Sequence, residues 1–190
     1  MAVTGQKIKF TAEQYLERER KALTKSEFFQ GEIFAMSGAS RNHNVIAGNL
    51  FAALHPLLKS KNCRQFNSDM RIHIPANTLY TYPDISVVCD KEEFLDGEFD
   101  TLLNPVFIAE ILSPSTADYD TGRKFMLYRS VVSLKEYWAI SSTEFRLQQF
   151  LKTDENTWVL HENLNKTGTI NLSSAGVSLS LEEIYEGFNL

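Results

Sequence analysis

A chain of 190 residues with a formal net charge of −5 is the size of one domain, and a core of that size needs neither disulfides nor a structural metal. The acidic balance argues against a large non-specific nucleic-acid surface, although bound metal ions can make a site on such a protein locally positive. No apolar stretch approaches the roughly 20 residues that span a bilayer, and the N-terminal stretch has no hydrophobic signal core, so a soluble, cytoplasmic protein with no membrane partner is expected.

Thr11 and Gln14 have the spacing of a capping box, with Phe10 and Tyr15 as its staple, and predict a helix to about residue 21. Residues 27–34 read as a tight hairpin, because Gly31 supplies the positive φ such turns require. A loop over 37–40 leads into the longest helix, about 42–59, whose apolar stripe (Val45, Ile46, Leu50, Leu54, Leu57, Leu58) must pack on a sheet; His43 stands at its N-terminal end. Residues 65–74 alternate and read as one half-buried strand. Phe66, Met70, Ile72 and Ile74 take one face, and Gln65, Asn67, Asp69, Arg71 and His73 the other, with Asp69 solvated or paired with Arg71. A turn at Asn77 makes the next apolar run, 82–89, an antiparallel neighbour. Cys63 and Cys89 have no metal-ligand spacing and are read as small core side chains rather than a disulfide.

Residues 91–104 are polar and acidic and are taken as a loop with one helical turn. The run 105–113 is a second buried strand, on which alternation puts Val106, Ile108, Glu110 and Leu112 on one face. Ser115 and Asp118 open a helix that runs to about residue 131. A short strand at 136–140, a hairpin from 144–151 and 157–161, an edge strand at 169–172 and a short helix at 181–186 complete the chain. Without internal repeats or a linker, residues 1–190 are expected to form one domain, a mixed α/β sheet flanked by helices.

The chemistry centres on two carboxylates. Glu110 lies among three aliphatic neighbours on its strand face, which is costly unless a cation or donor meets it. Asp84, beside Pro83 at the start of the other strand, is the nearest candidate to share such a cation, and hard oxygen ligands select Mg²⁺ or Mn²⁺. With Lys124 nearby to hold a phosphate or orient water, the set suits phosphodiester hydrolysis. Two carboxylates also suit glycoside hydrolysis, but the aliphatic surroundings lack the aromatic platforms of sugar sites.

Pro83-Asp84, then Glu110, then a lysine beyond it resemble the PD-(D/E)XK nuclease superfamily, with its restriction-endonuclease-like core. Six segments are together similar to the Uma-two family of restriction-endonuclease-like proteins over about residues 27–140. They are Glu27-Phe28-Phe29-Gln30-Gly31-Glu32; Gly38-Ala39-Ser40 with His43; Tyr82-Pro83-Asp84-Ile85-Ser86; Ala109-Glu110-Ile111-Leu112-Ser113; Asp120, Lys124 and Tyr128; and Leu134 with Glu136-Tyr137-Trp138. The resemblance implies a nuclease-like core with a C-terminal β meander over about 141–190. It implies DNA as substrate, a homodimer, and Mg²⁺ or Mn²⁺ held by Asp84, Glu110 and the Ile111 main-chain carbonyl. Catalysis would fall to Asp84, Glu110 and Lys124, with His43, Glu27 and Asp120 as additional candidates.

The chain departs from the superfamily at Leu112, where the short Glu-x-Lys motif has lysine; Lys124 resembles the form in which that lysine has moved to the following helix. From the residues alone, Asp120 and Lys124 are also an i, i+4 surface pair, Asp84 a turn-capping aspartate, His43 a helix-terminal histidine, Glu27 a cross-hairpin partner, and Tyr128 and Trp138 core aromatics. Leu112 favours a second reading, a catalytically degenerate nucleic-acid or protein-binding module. A metal-dependent hydrolase of another substrate is a third.

Overall fold

The computed structural model describes residues 8–113, 119–154 and 157–189, and the side chains of 119–121 lie outside the description. Helix α1 (Ala12–Glu19) starts at Thr11 with both halves of its capping box formed. Strands β1 (Ser26–Phe29) and β2 (Glu32–Ala35) form the expected hairpin, turning through Gln30 and Gly31, both at positive φ. Helix α2 (Arg41–Lys59) is capped by Ser40 and buries Ile46, Leu50, Leu54 and Leu58.

The predicted 65–74 strand is two strands in different sheets, β3 (Cys63–Asn67) and β4 (Arg71–Ile74). The break has a local cause: the Asn67 side chain accepts the Asp69 N–H, and the Met70 N–H bonds to the Asn67 carbonyl, closing a turn. The break also resets the faces. Gln65 and Arg71 are buried, Phe66 is only half-buried, and Asp69 pairs with Lys25 instead of Arg71. Strand β6 (Ile85–Cys89) pairs antiparallel with β3 as expected of the 82–89 run, whereas β4 pairs antiparallel with β5 (Leu79–Thr81), a strand that the sequence reading did not separate. Cys63 and Cys89 face each other across the β3–β6 register and form a disulfide, which corrects their reading as reduced core side chains. Within 91–104 the chain forms β7 (Thr101–Leu102), parallel to β4, where a helical turn was expected.

Strand β8 (Phe107–Leu112) lies between β6 and β9 (Glu136–Ser141) and is buried throughout. A π-helical turn (Tyr119–Lys124) runs into α3 (Phe125–Tyr128), and the predicted helix start at Ser115 and Asp118 lies outside the described residues. Strands β10 (Leu147–Lys152) and β11 (Trp158–Asn163) extend the same sheet as a hairpin. The segment expected as an edge, β12 (Thr169–Leu172), pairs instead with β13 (Val177–Ser180) in a two-stranded sheet of its own, followed by α4 (Leu181–Ile184).

The architecture is a five-stranded sheet (β2-β1-β5-β4-β7) beside a six-stranded one (β11-β10-β9-β8-β6-β3). On one face of the larger sheet Ile85, Val87, Phe107, Ala109 and Ile111 pack with the α2 stripe and the β12–β13 hairpin. On the other, Ile108 and Leu112 pack with Phe125 and Tyr128, while Val106, just before the strand, joins the α2 side. The chain passes from the smaller sheet to the larger through Tyr82-Pro83-Asp84, where proline has no N–H to continue a ladder.

That crossing is pinned from behind. Tyr82 Oη donates to Glu19 Oε1 at 3.0 Å and accepts from Arg71 Nη1 at 2.9 Å, and Glu19 also accepts the Ser26 N–H. Arg71 Nη2 lies 2.8 Å from Asp100 Oδ2. Burial first, with the Glu19 carboxylate opposing the Arg71 charge, pushes the Tyr82 phenol up to about 12. Hydrogen bonds from Arg20, then Thr101 and Arg71, hold the Asp100 carboxyl far below its usual range.

Candidate active site

The β6–β8 register pairs Ile85 with Ala109, so one step beyond the ladder Asp84 stands opposite Glu110. Asp84 Oδ2 accepts the Ile111 N–H at 2.7 Å and lies 3.1 Å from His43 Nε2. These two contacts fix the carboxylate, and among the described residues its second oxygen, Oδ1, has no polar partner. The N–H and C=O of one strand residue point to the same edge, so the Ile111 carbonyl is directed to the edge that Asp84 occupies. His43 is held at the start of α2, where Ser40 Oγ caps its N–H; its ring Nδ1 is buried with no partner among the described residues.

Glu110 projects from the β8 face that also carries Ile108 and Leu112 and is 5 % exposed. Its Oε1 accepts from Tyr128 Oη at 2.7 Å and lies 2.9 Å from Lys124 Nζ. Lys124 and Tyr128 are four residues apart and reach the same carboxylate from the helical segment packed on that face. Burial, then the Glu110 charge, raises the Tyr128 phenol well above its ordinary value. Lys124, 6 % exposed, also meets Glu27 Oε1 at 3.2 Å, and Glu27 accepts from Thr81 Oγ1 at 2.5 Å. The ammonium is therefore shared between carboxylates from two sheets.

Asp84, Glu110, Ile111, Lys124, His43 and Glu27 all line one open cleft of about 1050 Å³ between the β1–β2 hairpin and α2. The structure thus brings together every sequence-derived candidate except Asp120, whose side chain lies outside the described residues. Leu112 is buried against α3, and Lys124 enters from the helix on that same face of the strand. Sequence reasoning missed two groups that hold the carboxylates. Tyr128 was read as a core aromatic, and it is buried, yet its hydroxyl serves Glu110; the Lys124-to-Tyr128 spacing was the available signal. Thr81, the donor to Glu27, carries no sequence signal.

Hard oxygen donors on Asp84, Glu110 and the Ile111 carbonyl fit a small divalent cation. Among the described residues no three His, Cys, Asp or Glu side chains cluster as a ready metal cage; Mg²⁺ is usually bound by one or two carboxylates completed by water and substrate oxygens.

Comparison with known proteins places the chain. Residues 12–182 match the Uma2 family, described as "Putative restriction endonuclease". Two proteins of Synechocystis sp., slr1290 and sll1609, are 37 % and 38 % identical over 94 % and 91 % of this chain and 93 % and 97 % of their own lengths. The fold is similar to a crystal structure of a nuclease, itself described as putative, of family DUF820 from Anabaena variabilis, with a TM-score of 0.76 at 17 % identity over 93 % of this chain and 97 % of that one. No described helix is long and apolar enough to cross a membrane. With the match spanning most of the chain and relatives above one-third identity along nearly their full length, this protein belongs to the Uma2 family of restriction-endonuclease-like proteins.

Proposed function

We propose that the chain hydrolyses phosphodiester bonds in DNA at this cleft, with Mg²⁺ or Mn²⁺ bound by Asp84, Glu110 and the Ile111 carbonyl. The observation that carries the reading is the convergence of Asp84, Glu110 and Lys124 from separate elements on one cleft, with the lysine supplied from the helix where Leu112 leaves the strand position apolar. The cation, when bound, lowers the pKa of an attacking water and neutralises charge developing on the phosphate.

The chain's own groups do the positioning. The Ile111 N–H and His43 fix Asp84 Oδ2, so that Asp84 would hold the cation in a set orientation. Tyr128 and Lys124 both sit on Glu110 Oε1, which orients that carboxylate. Lys124 Nζ, held between Glu110 and Glu27, is the group placed to orient water and to meet charge on the phosphate. Cutting both strands of a duplex would call for two copies related by a two-fold axis, and so for a homodimer.

Leu112 supports the alternative of a binding module that has lost catalysis, and one experiment separates the two. Purified protein is incubated with supercoiled and with circular single-stranded DNA, with Mg²⁺, Mn²⁺ or chelator, beside Glu110→Gln. Metal-dependent cleavage that the variant loses supports hydrolysis; equal inertness of both proteins on both substrates makes the binding module the better account.

A further inference from the structure

The β1–β2 hairpin has two unlike faces. Phe28 and Ile33 pack beneath α1 with Tyr15 and Tyr80. On the opposite face, Glu27 is paired in register with Phe34, and next to them the Met36 N–H bonds to the Lys25 carbonyl. Lys25, Glu27, Phe34 and Met36 all line the cleft. Side chains directly opposed on an antiparallel pair stand about 5 Å apart at Cβ. Phe34 is therefore next to Glu27, which itself contacts Lys124, and the residue is 47 % exposed. Leu23, fully exposed, continues this wall.

The groups this wall faces are sunk. Glu110 and Lys124 are 5 % and 6 % exposed in a cleft also lined by Lys25, whose Nζ reaches Ser68 O at 2.7 Å and Asp69 Oδ1 at 3.1 Å. A flexible single strand follows such a recess at less cost than a duplex, whose stiffness opposes bending. A volume of about 1050 Å³ is at the upper end of what encloses a drug-sized molecule and has room for a short length of single strand. Charge points the same way. Duplex binding draws on many Lys and Arg contacts to phosphate, whereas this cleft holds Glu27, Asp69, Asp84 and Glu110 against Lys25 and Lys124, both already in ion pairs. Single-strand binding draws much of its energy from stacking on aromatic rings, which an exposed ring beside the reacting groups supplies.

We infer, resting on the reading of this cleft as a phosphodiester-cleaving site, that its substrate is an unpaired polynucleotide strand and that Phe34 is the platform on which the base beside the reacting phosphate stacks. The test is fluorescence anisotropy with a labelled single-stranded oligonucleotide and its blunt duplex, as DNA and as RNA, with Ca²⁺ in place of Mg²⁺. Wild type, Phe34→Ala and Phe34→Tyr are compared, each shown by circular dichroism to be folded. Single strand of either sugar binds wild type at least about 10-fold more tightly than duplex; Phe34→Ala loses about 10-fold on the single strand, and Phe34→Tyr restores it. Equal or tighter duplex binding, no binding of either form, or an unchanged Phe34→Ala overturns the inference and leaves Phe34 an ordinary exposed aromatic. Cleavage under Mg²⁺ distinguishes this failure from that of the hydrolytic reading. Metal-dependent cutting of duplex in preference to single strand overturns the inference alone. Phe34-dependent single-strand binding without cleavage upholds the inference and overturns hydrolysis.

Discussion

Replacing Lys124 by Met removes the cation from between Glu110 and Glu27, which it meets at 2.9 and 3.2 Å, while keeping the length of the side chain. Both carboxylates have little access to water, their side chains being 6 % and 14 % exposed, so solvent takes over the ammonium's role only in part. Removing one partner of a buried ion pair typically costs about 3–5 kcal/mol, because a buried charge is left uncompensated. Here two like charges would be left facing each other. At about 2–4 °C per kcal/mol for a chain of this size, the melting temperature should fall by about 6–20 °C. Glu27→Gln, added to Lys124→Met, removes one of those charges and should recover about 1–2 kcal/mol through their coupling. Urea denaturation of wild type, both single variants and the double variant at pH 7 without divalent metal gives all four corners of the cycle. A loss below about 1 kcal/mol for Lys124→Met, as for an exposed pair, with no recovery from Glu27→Gln, would refute the shared-cation arrangement.

Tyr128→Phe deletes a hydroxyl that donates to a buried carboxylate and should cost about 1.5–3 kcal/mol by the same denaturation assay. The Cys63–Cys89 disulfide spans a sequence separation of 26, so in the chain-entropy model Cys63→Ser should lower stability by about 3 kcal/mol, measured under non-reducing conditions; an equal curve for both proteins would mean the bond is not formed. The Asp100 carboxyl titrates far below its unfolded value of about 4, so its contribution is complete above that pH and is lost as pH falls toward the folded pKa; the destabilisation by Asp100→Asn should shrink between pH 7 and pH 2. Tyr82 is displaced the other way, to about 12. The unfolded chain releases its proton near pH 10 while the folded chain keeps it, so stability should decline from about pH 10 upward, and Tyr82→Phe should flatten that decline.

What could be read in the sequence was what is local. The Thr11–Gln14 capping box, the Gly31 hairpin and the apolar stripe of α2 each draw their structure from a few neighbouring residues, and each formed as expected. Glu110 stood out because a lone carboxylate on an aliphatic strand needs a partner, and the partners are there: Lys124 and Tyr128. What stayed hidden depends on registers between distant segments. A hydrophobic pattern that runs smoothly from 65 to 74 does not reveal that the Asn67 side chain turns the chain into a second sheet. Cys63 meets Cys89 only because β3 and β6 pair in one particular register. Glu27 reaches Lys124 only once the hairpin is laid across the gap between the sheets, and the same folding step turns Phe34 toward the cleft.

The claim on which the functional reading depends is that Asp84 and Glu110 together hold a divalent cation. Isothermal titration of Mn²⁺ into wild type, Asp84→Asn and Glu110→Gln tests it without reference to any substrate. One bound ion in wild type, with affinity reduced at least about 10-fold in each variant as expected when a first-row metal loses a hard anionic ligand, is the predicted result. Identical titrations for all three proteins would contradict it, placing any bound ion elsewhere and leaving the convergence of these carboxylates a feature of folding alone.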